Sequence, residues 1–177
     1  MKTILRDFDE TIGALTGRLP KYFYRPFEVL CLIVRPSSWA LAVMLLTLFN
    51  YANGEKAWVW AGVAILALLP LSTVAKLVAR RQRPVSIYTE SMKIKSYSFP
   101  SSHAYSSMLA GGFVGIFLLS LGGAAAFVFA PLILLVIVLV GIARVFLGAH
   151  FPSDVLGGFL LAIVILWLVN ISFDLVG

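Results

Sequence analysis

Long apolar runs separated by short polar breaks organise this chain. SSWALAVMLLTLFNYA (37–52), AWVWAGVAILALLPLSTVAKLVA (57–79), AYSSMLAGGFVGIFLLSL (104–121), AAAFVFAPLILLVIVLVGIA (124–143) and a run from about Pro152 to Phe173 are mostly near the length of helix that crosses a hydrocarbon core. Their apolar positions are continuous rather than alternating, which predicts membrane helices and not a barrel. Pro70 predicts a kink in the second run, and Trp58 and Trp60 read as interfacial anchors. The small residues Ala110-Gly111-Gly112 suit close helix packing; NGEK (53–56) and Gly122-Gly123 suit turns. Residues 1–26, basic with interspersed aromatics, read as an amphipathic segment lying on the membrane. PFEVLCLIV (26–34) reads as a partly inserted helix that ends before Pro36. The expected fold is all-α: one membrane domain, with an interfacial segment over 1–35 and a bundle of about five spans over 36–177.

Composition agrees and adds limits. The 177 residues are 60% hydrophobic and 12% charged, and a mean hydropathy of +0.97 excludes an ordinary soluble domain. A lone cysteine, Cys31, rules out an internal disulfide. Charges in MKTILRDFDETIGALTGRLPK leave no signal-peptide core, so insertion is expected to use the first span.

Five spans bring the N-terminus, the polar connection 80–102 and the junction 144–154 to one membrane face. Of 14 Lys and Arg, only Lys56 falls on the opposite face. By the positive-inside rule this bias points the polar face towards the cytoplasm, of a bacterial or archaeal cytoplasmic membrane.

Three clusters meet on that face. In KLVARRQRP, Lys76 and Arg83 are seven apart, two helical turns, with Arg80 leaning the same way. In SFPSSH, Ser101, Ser102 and His103 sit at an expected helix N-terminus, where free N–H groups favour an anion. In GIARVFLGAHFPSD, Arg144 closes one span while His150 and Asp154 open the next. Together they give an excess of hydrogen-bond donors, two imidazoles and one carboxylate. Guanidinium forks match phosphate oxygens. One imidazole can attack phosphorus if a carboxylate fixes its tautomer, and the other can protonate the leaving oxygen. A two-His, one-carboxylate metal triad is conceivable, but the surrounding cations would repel a metal ion. The expectation is no cofactor.

Taken singly, each cluster has an ordinary reading. Lys76 or Arg83 could be snorkelling chains, PSSH a helix cap, and His150 with Asp154 a structural hydrogen bond. Arg81, Lys93 and Lys95 read as a solvated, headgroup-facing run. Tyr88, Tyr97 and Phe99 read as interfacial aromatics, and Ser106 and Ser107 as helix-packing groups.

Taken in order, the clusters resemble the type-2 phosphatidic acid phosphatase superfamily, whose pattern is K-x6-RP, PSGH and SR-x5-H-x3-D. Here it stands as Lys76-x6-Arg83-Pro84, Pro100-Ser101-Ser102-His103 and Ala143-Arg144-x5-His150-x3-Asp154. Ser102 replaces a glycine, narrowing the pocket, and Ala143 replaces a serine hydroxyl. The resemblance implies a metal-independent phosphatase in which His150 attacks phosphorus, Asp154 orients it and His103 protonates the leaving alkoxide and then activates water. Lys76, Arg83, Arg144, Ser101 and Ser102 would hold the phosphoryl oxygens, with Arg80 a possible addition.

A site at the membrane surface suits a phosphate attached to lipid: phosphatidic acid, phosphatidylglycerol phosphate, a polyprenyl phosphate or diphosphate, or a phosphorylated glycolipid. The connection 85–99 is expected to cover it. The alternatives are a lipid-to-lipid phosphotransferase, a non-catalytic anionic-lipid carrier and a vanadate-dependent oxidant. Family members commonly work from the extracytoplasmic side, against the charge bias.

Overall fold

The computed structural model describes residues 2–91 and 96–175. Among them the secondary structure is helical with no strand; besides one 3-10 turn (Lys21–Phe23) and one π turn (Ser107–Gly111) there are ten α-helices. They run α1 (Lys2–Gly17), α2 (Tyr24–Ile33), α3 (Pro36–Ala52), α4 (Lys56–Leu68), α5 (Leu71–Ala79), α6 (Ile87–Glu90), α7 (Ser102–Ser106), α8 (Gly112–Leu121), α9 (Gly123–Phe146) and α10 (Pro152–Phe173). Four stretches are long and apolar enough to cross a membrane: Lys56–Ala79, Ser102–Leu121, Ala126–Phe146 and Pro152–Phe173. A fifth arises if Lys21–Ile33 and Pro36–Ala52, bent by 43°, form one broken span. The protein is a multi-pass membrane bundle.

Its surface is apolar where lipid would lie. Leu132, Leu134, Leu135 and Val138 of α9 and Leu160, Val164 and Leu168 of α10 face outward. The interior is filled by Val43, Ile65, Tyr105, Leu109, Phe113 and Ile165. Backbone groups freed at helix breaks must find partners in such a medium. At the Pro70 break between α4 and α5, the Leu68 carbonyl accepts the Tyr105 hydroxyl at 2.8 Å.

Small residues set the spacing of the helices. Between α7 and α8 the chain passes through one wide π turn, Ser107–Gly111. A Cβ at Gly112 would lie 2.5 Å from Leu166 Cδ1, and one at Gly111 3.0 Å from the Trp39 ring. The expected small-residue contact is therefore where α3, α9 and α10 close on this segment.

Three expectations change. Trp58 is not an interfacial anchor: it is buried, edge-on to Phe117 with centroids 5.0 Å apart, whereas Trp60 is exposed. The helix preceding Arg83 does not continue to Pro84. It stops at Ala79, where Arg80 turns left-handed (φ 48°, ψ 30°) and its N–H caps the Lys76 carbonyl. Finally, the N-terminal segment does more than lie on the membrane, because Asp9 of α1 is buried against the bundle.

Candidate active site

The α9–α10 junction supplies the centre. After α9, Gly148 takes φ +67°, and the amides of Ala149 and His150 both return to the Arg144 carbonyl, at 3.1 and 3.2 Å. The chain then enters α10 through Pro152, with Asp154 in its first turn accepting the Phe151 N–H at 2.9 Å. A carboxylate is favoured there by the helix dipole. His150 and Asp154 are both buried, with Nδ1 3.7 Å from Oδ2.

Ser98 fits between them. Its Oγ lies 3.4 Å from His150 Nδ1 and donates to Asp154 Oδ2. On the ring's other side, Arg83 Nη1 lies 3.1 Å from Nε2. A guanidinium can only donate, so Nε2 accepts and Nδ1 carries the hydrogen. The ring is held with its basic nitrogen towards the cations and its N–H towards the carboxylate. Burial pushes His150 down to about 3; the Asp154 carboxylate opposes this, while Arg144, Arg83 and Lys76 add to it.

The cations reach the centre from separate segments. Lys76, buried at the end of α5, donates to the carbonyls of Tyr97 (2.9 Å) and Ser98 (3.3 Å). Arg83 arrives on irregular chain rather than on the Lys76 helix, and donates to the Ala149 carbonyl and to the carbonyl and hydroxyl of Ser96. Burial and the nearby Arg144 push its guanidinium below its ordinary value. Arg144 is 2% exposed. One of its Nη groups donates to the Tyr88 hydroxyl at 3.1 Å, while its buried Nε has no hydrogen-bond partner among the described residues. An unpaired buried guanidinium N–H is costly unless something accepts it.

The PSSH segment packs on α10. Ser101 N–H donates to the Asp154 carbonyl at 3.0 Å, and the Ser101 hydroxyl caps α7 by accepting Ala104 N–H at 3.5 Å. An accepting hydroxyl keeps its own hydrogen to donate. The Ser102 hydroxyl is 3.3 Å from that of Ser72, so the group that stands in place of a glycine is turned towards α5. His103 Nε2 lies 3.2 Å from the Cys31 carbonyl; a carbonyl only accepts, so this nitrogen carries hydrogen. Gly157 and Gly158 permit the packing. A Cβ on Gly157 would meet Phe99 at 2.3 Å, and one on Gly158 the Ser101 carbonyl oxygen at 2.9 Å.

Other candidates lie elsewhere. Arg80 is exposed, with Nε on the Leu77 carbonyl at 3.0 Å, and joins none of the bonds above. Arg81 is not solvated as a surface run would be. It bridges Asp9 Oδ2 (2.7 Å) and Asp154 Oδ1 (2.8 Å) and stacks 4.2 Å from the Phe151 ring centre. Tyr88, expected at the interface, holds Arg144, and Phe99 lies on α10. Ser106 and Ser107 do serve packing, the latter accepting Trp39 Nε1 at 3.0 Å. Lys93 and Lys95 lie outside the described residues. Of the connection expected to cover the site, Tyr88, Ser96, Tyr97 and Ser98 all bond to it.

Sequence reasoning passed over Ser98 and Asp9, and read Arg81 as a solvated cation and Tyr88 as an interfacial aromatic. A helix drawn through to Arg83 rotates Arg81 outward. Once the chain leaves the helix after residue 79, Arg81 and Arg83 both reach the α9–α10 junction, and that was the missing signal. A cavity of about 1360 Å³ adjoins this centre, lined by apolar residues of α1 (Ile4, Leu5, Phe8), by Leu156 and Leu160 of α10, and by His150.

These features have counterparts. The sequence pattern of the PAP2 superfamily matches residues 57–175, and the chain belongs to that superfamily. It is 34% identical over 125 residues to phosphatidylglycerophosphatase B of Bacillus subtilis, covering 65% of this chain and 59% of that protein. It is 30% identical over 124 residues to decaprenylphosphoryl-5-phosphoribose phosphatase of Mycobacterium tuberculosis, covering 67% and 62%. The chain thus spans about three fifths of the length of these curated relatives. The fold is similar to the crystal structure of a transmembrane PAP2-type phosphatidylglycerolphosphate phosphatase from Bacillus subtilis, with TM-score 0.78, 24% identity and coverage of 97% of this chain and 86% of that one.

Proposed function

We propose that this protein is a lipid phosphate phosphatase that works through a phosphohistidine. The observation that carries the reading is the fixed His150 ring, with Nε2 turned to Arg83 and Nδ1–H to Ser98 and Asp154. Carriers need cations, but they do not need an imidazole poised in one tautomer.

In this reading a phosphoryl group enters among Lys76, Arg83 and Arg144 and takes up the unpaired Arg144 Nε–H. Ser101 and Ser102 lie at the helix N-terminus beside it and contribute hydroxyl and amide donors. His150 Nε2 attacks phosphorus as the bond to the lipid oxygen breaks, while Asp154 stabilises the charge that develops on the ring. His103, entering as the imidazolium, gives its Nε2 proton to the leaving oxygen, which replaces the Cys31 carbonyl as its acceptor, and is left neutral. A water then gives its proton to His103 and its oxygen to phosphorus, releasing phosphate and restoring His150.

The substrate class is supported by the setting. The apolar cavity beside His150 suits an acyl or prenyl chain, and both curated relatives are named for lipid phosphates with different headgroups. We place the site towards the cytoplasm, on the charge bias. A cysteine at exposed Val85, in a Cys31→Ser background, should then resist membrane-impermeant thiol reagents in intact cells.

The test is phosphate release in detergent, with EDTA present, from phosphatidic acid, phosphatidylglycerol phosphate and a polyprenyl phosphate and diphosphate. Wild type should turn over at least one of these and His150→Ala essentially none. Undiminished turnover by His150→Ala would refute the nucleophile.

A further inference from the structure

We infer that Arg81 and Asp9 are positioning residues that fix the Asp154 carboxylate, so that α1 forms part of the catalytic framework. This rests on the proposed use of His150 and Asp154.

Asp154 has two oxygens with different duties. Oδ2 accepts the Ser98 hydroxyl and the Phe151 N–H and faces His150 Nδ1. Those contacts leave the carboxylate one rotation about its own axis. Arg81 Nη1 removes that freedom by holding Oδ1 at 2.8 Å. The same nitrogen holds the Ser153 hydroxyl at 2.6 Å, while Nη2 takes Asp9 Oδ2 at 2.7 Å.

Asp9 completes the grip. Its Oδ1 accepts the Ser153 N–H and its Oδ2 the Ser153 hydroxyl, both at 2.8 Å. With Phe151 under the guanidinium, Arg81 is held on three sides. A planar fork with two carboxylates and an aromatic face is a geometry that lysine cannot reproduce. Asp9 is 7% exposed in a segment that is otherwise largely open to its surroundings, and an amphipathic helix on a membrane has no need of a buried acid. Its burial is explained by what it touches. Among the described residues the side chains of Arg81 and Asp9 make no hydrogen bond to His150 or to the cations around it, so their effect passes through Asp154.

The experiment uses the full chain, labelled with ¹⁵N-histidine, in detergent. It compares wild type with Arg81→Gln, Arg81→Lys and Asp9→Asn. The chain has two histidines, so His103→Asn assigns the spectrum. Wild type should show His150 as the Nδ1–H tautomer, whereas Arg81→Gln and Asp9→Asn should show a mixture. In turnover, kcat should fall on the order of 10-fold for Arg81→Gln, as for other residues that orient a catalytic group. KM should stay within about 3-fold, and Arg81→Lys should recover part of the loss. Asp9→Asn, which keeps the side-chain shape, decides the question if Arg81→Gln does not fold. An unchanged tautomer with unchanged kcat, or a change in KM alone, overturns the inference. If wild type releases no phosphate from any lipid, the phosphatase reading fails on its own, and the tautomer comparison still decides whether these residues hold the ring.

Discussion

Arg83 and His150 meet across 3.1 Å, guanidinium Nη1 to imidazole Nε2. The cation that would bind substrate therefore rests on the atom that would attack it. In the proposed reaction a phosphoryl oxygen would take over this donor as Nε2 turns to phosphorus, and the exchange would keep the guanidinium paired throughout. Lysine at this position keeps the charge but cannot also hold the Ser96 carbonyl and hydroxyl and the Ala149 carbonyl. Arg83→Lys should lower kcat/KM on the order of 100-fold, as loss of an oxyanion donor does. Steady-state hydrolysis of whichever lipid wild type prefers checks this.

Arg144 should report on binding without turnover. Its Nε–H, without a partner among the described residues, predicts that vanadate, a mimic of five-coordinate phosphorus, both inhibits and raises the unfolding temperature. Saturation near 100 times Kd stabilises by about 2.7 kcal/mol. Arg144→Lys should weaken vanadate binding by about 10-fold or more, because the fork is lost. An unshifted melting temperature for wild type at saturating vanadate would contradict the assignment.

The two glycines that follow Asp154 should not be equivalent. A Cβ at Gly158 meets the backbone oxygen of Ser101, which cannot rotate away, whereas one at Gly157 meets the Phe99 ring, which can shift. Gly158→Ala should destabilise by about 1–3 kcal/mol and depress turnover through the PSSH segment. Gly157→Ala should cost less in stability. Thermal unfolding in detergent ranks the two.

Acid sensitivity follows from His150. Its ring titrates at 6.5 when free and is pushed down to about 3 by burial in the fold. Above pH 6.5 the ring is neutral in both states and contributes no difference. Between 6.5 and 3 the unfolded chain binds a proton that the folded chain refuses, so stability falls as pH falls, by about 1.4 kcal/mol per pH unit from this group. Replacing His150 by Asn should flatten the decline of melting temperature between pH 6.5 and 4.

The spans and the three motif clusters were legible because lipid enforces continuous apolar runs and because charges at their edges stand out against them. Pro70 and the Gly111–Gly112 contact were readable from backbone chemistry alone. Trp58 was misplaced because an aromatic near a span end fits the interface and the core equally well, and only its neighbours Phe113 and Phe117 decide. Arg81 was misread because a left-handed residue at Arg80 ends the helix four positions earlier than Pro84 suggests. Asp9, more than 140 residues from Asp154, carried no local signal. Its meaning depends on a fold-level contact between α1 and the start of α10.

One turn of backbone ties the proposed binder, Arg144, to the proposed nucleophile, His150. Because the Arg144 carbonyl receives the amides of both Ala149 and His150, the offset between guanidinium and imidazole is a ruler made of peptide rather than of side chains. Substitutions within 145–149 can alter its lining, but adding or deleting a single residue there would swing the imidazole off its mark, so this interval should tolerate changes of letter and not of length.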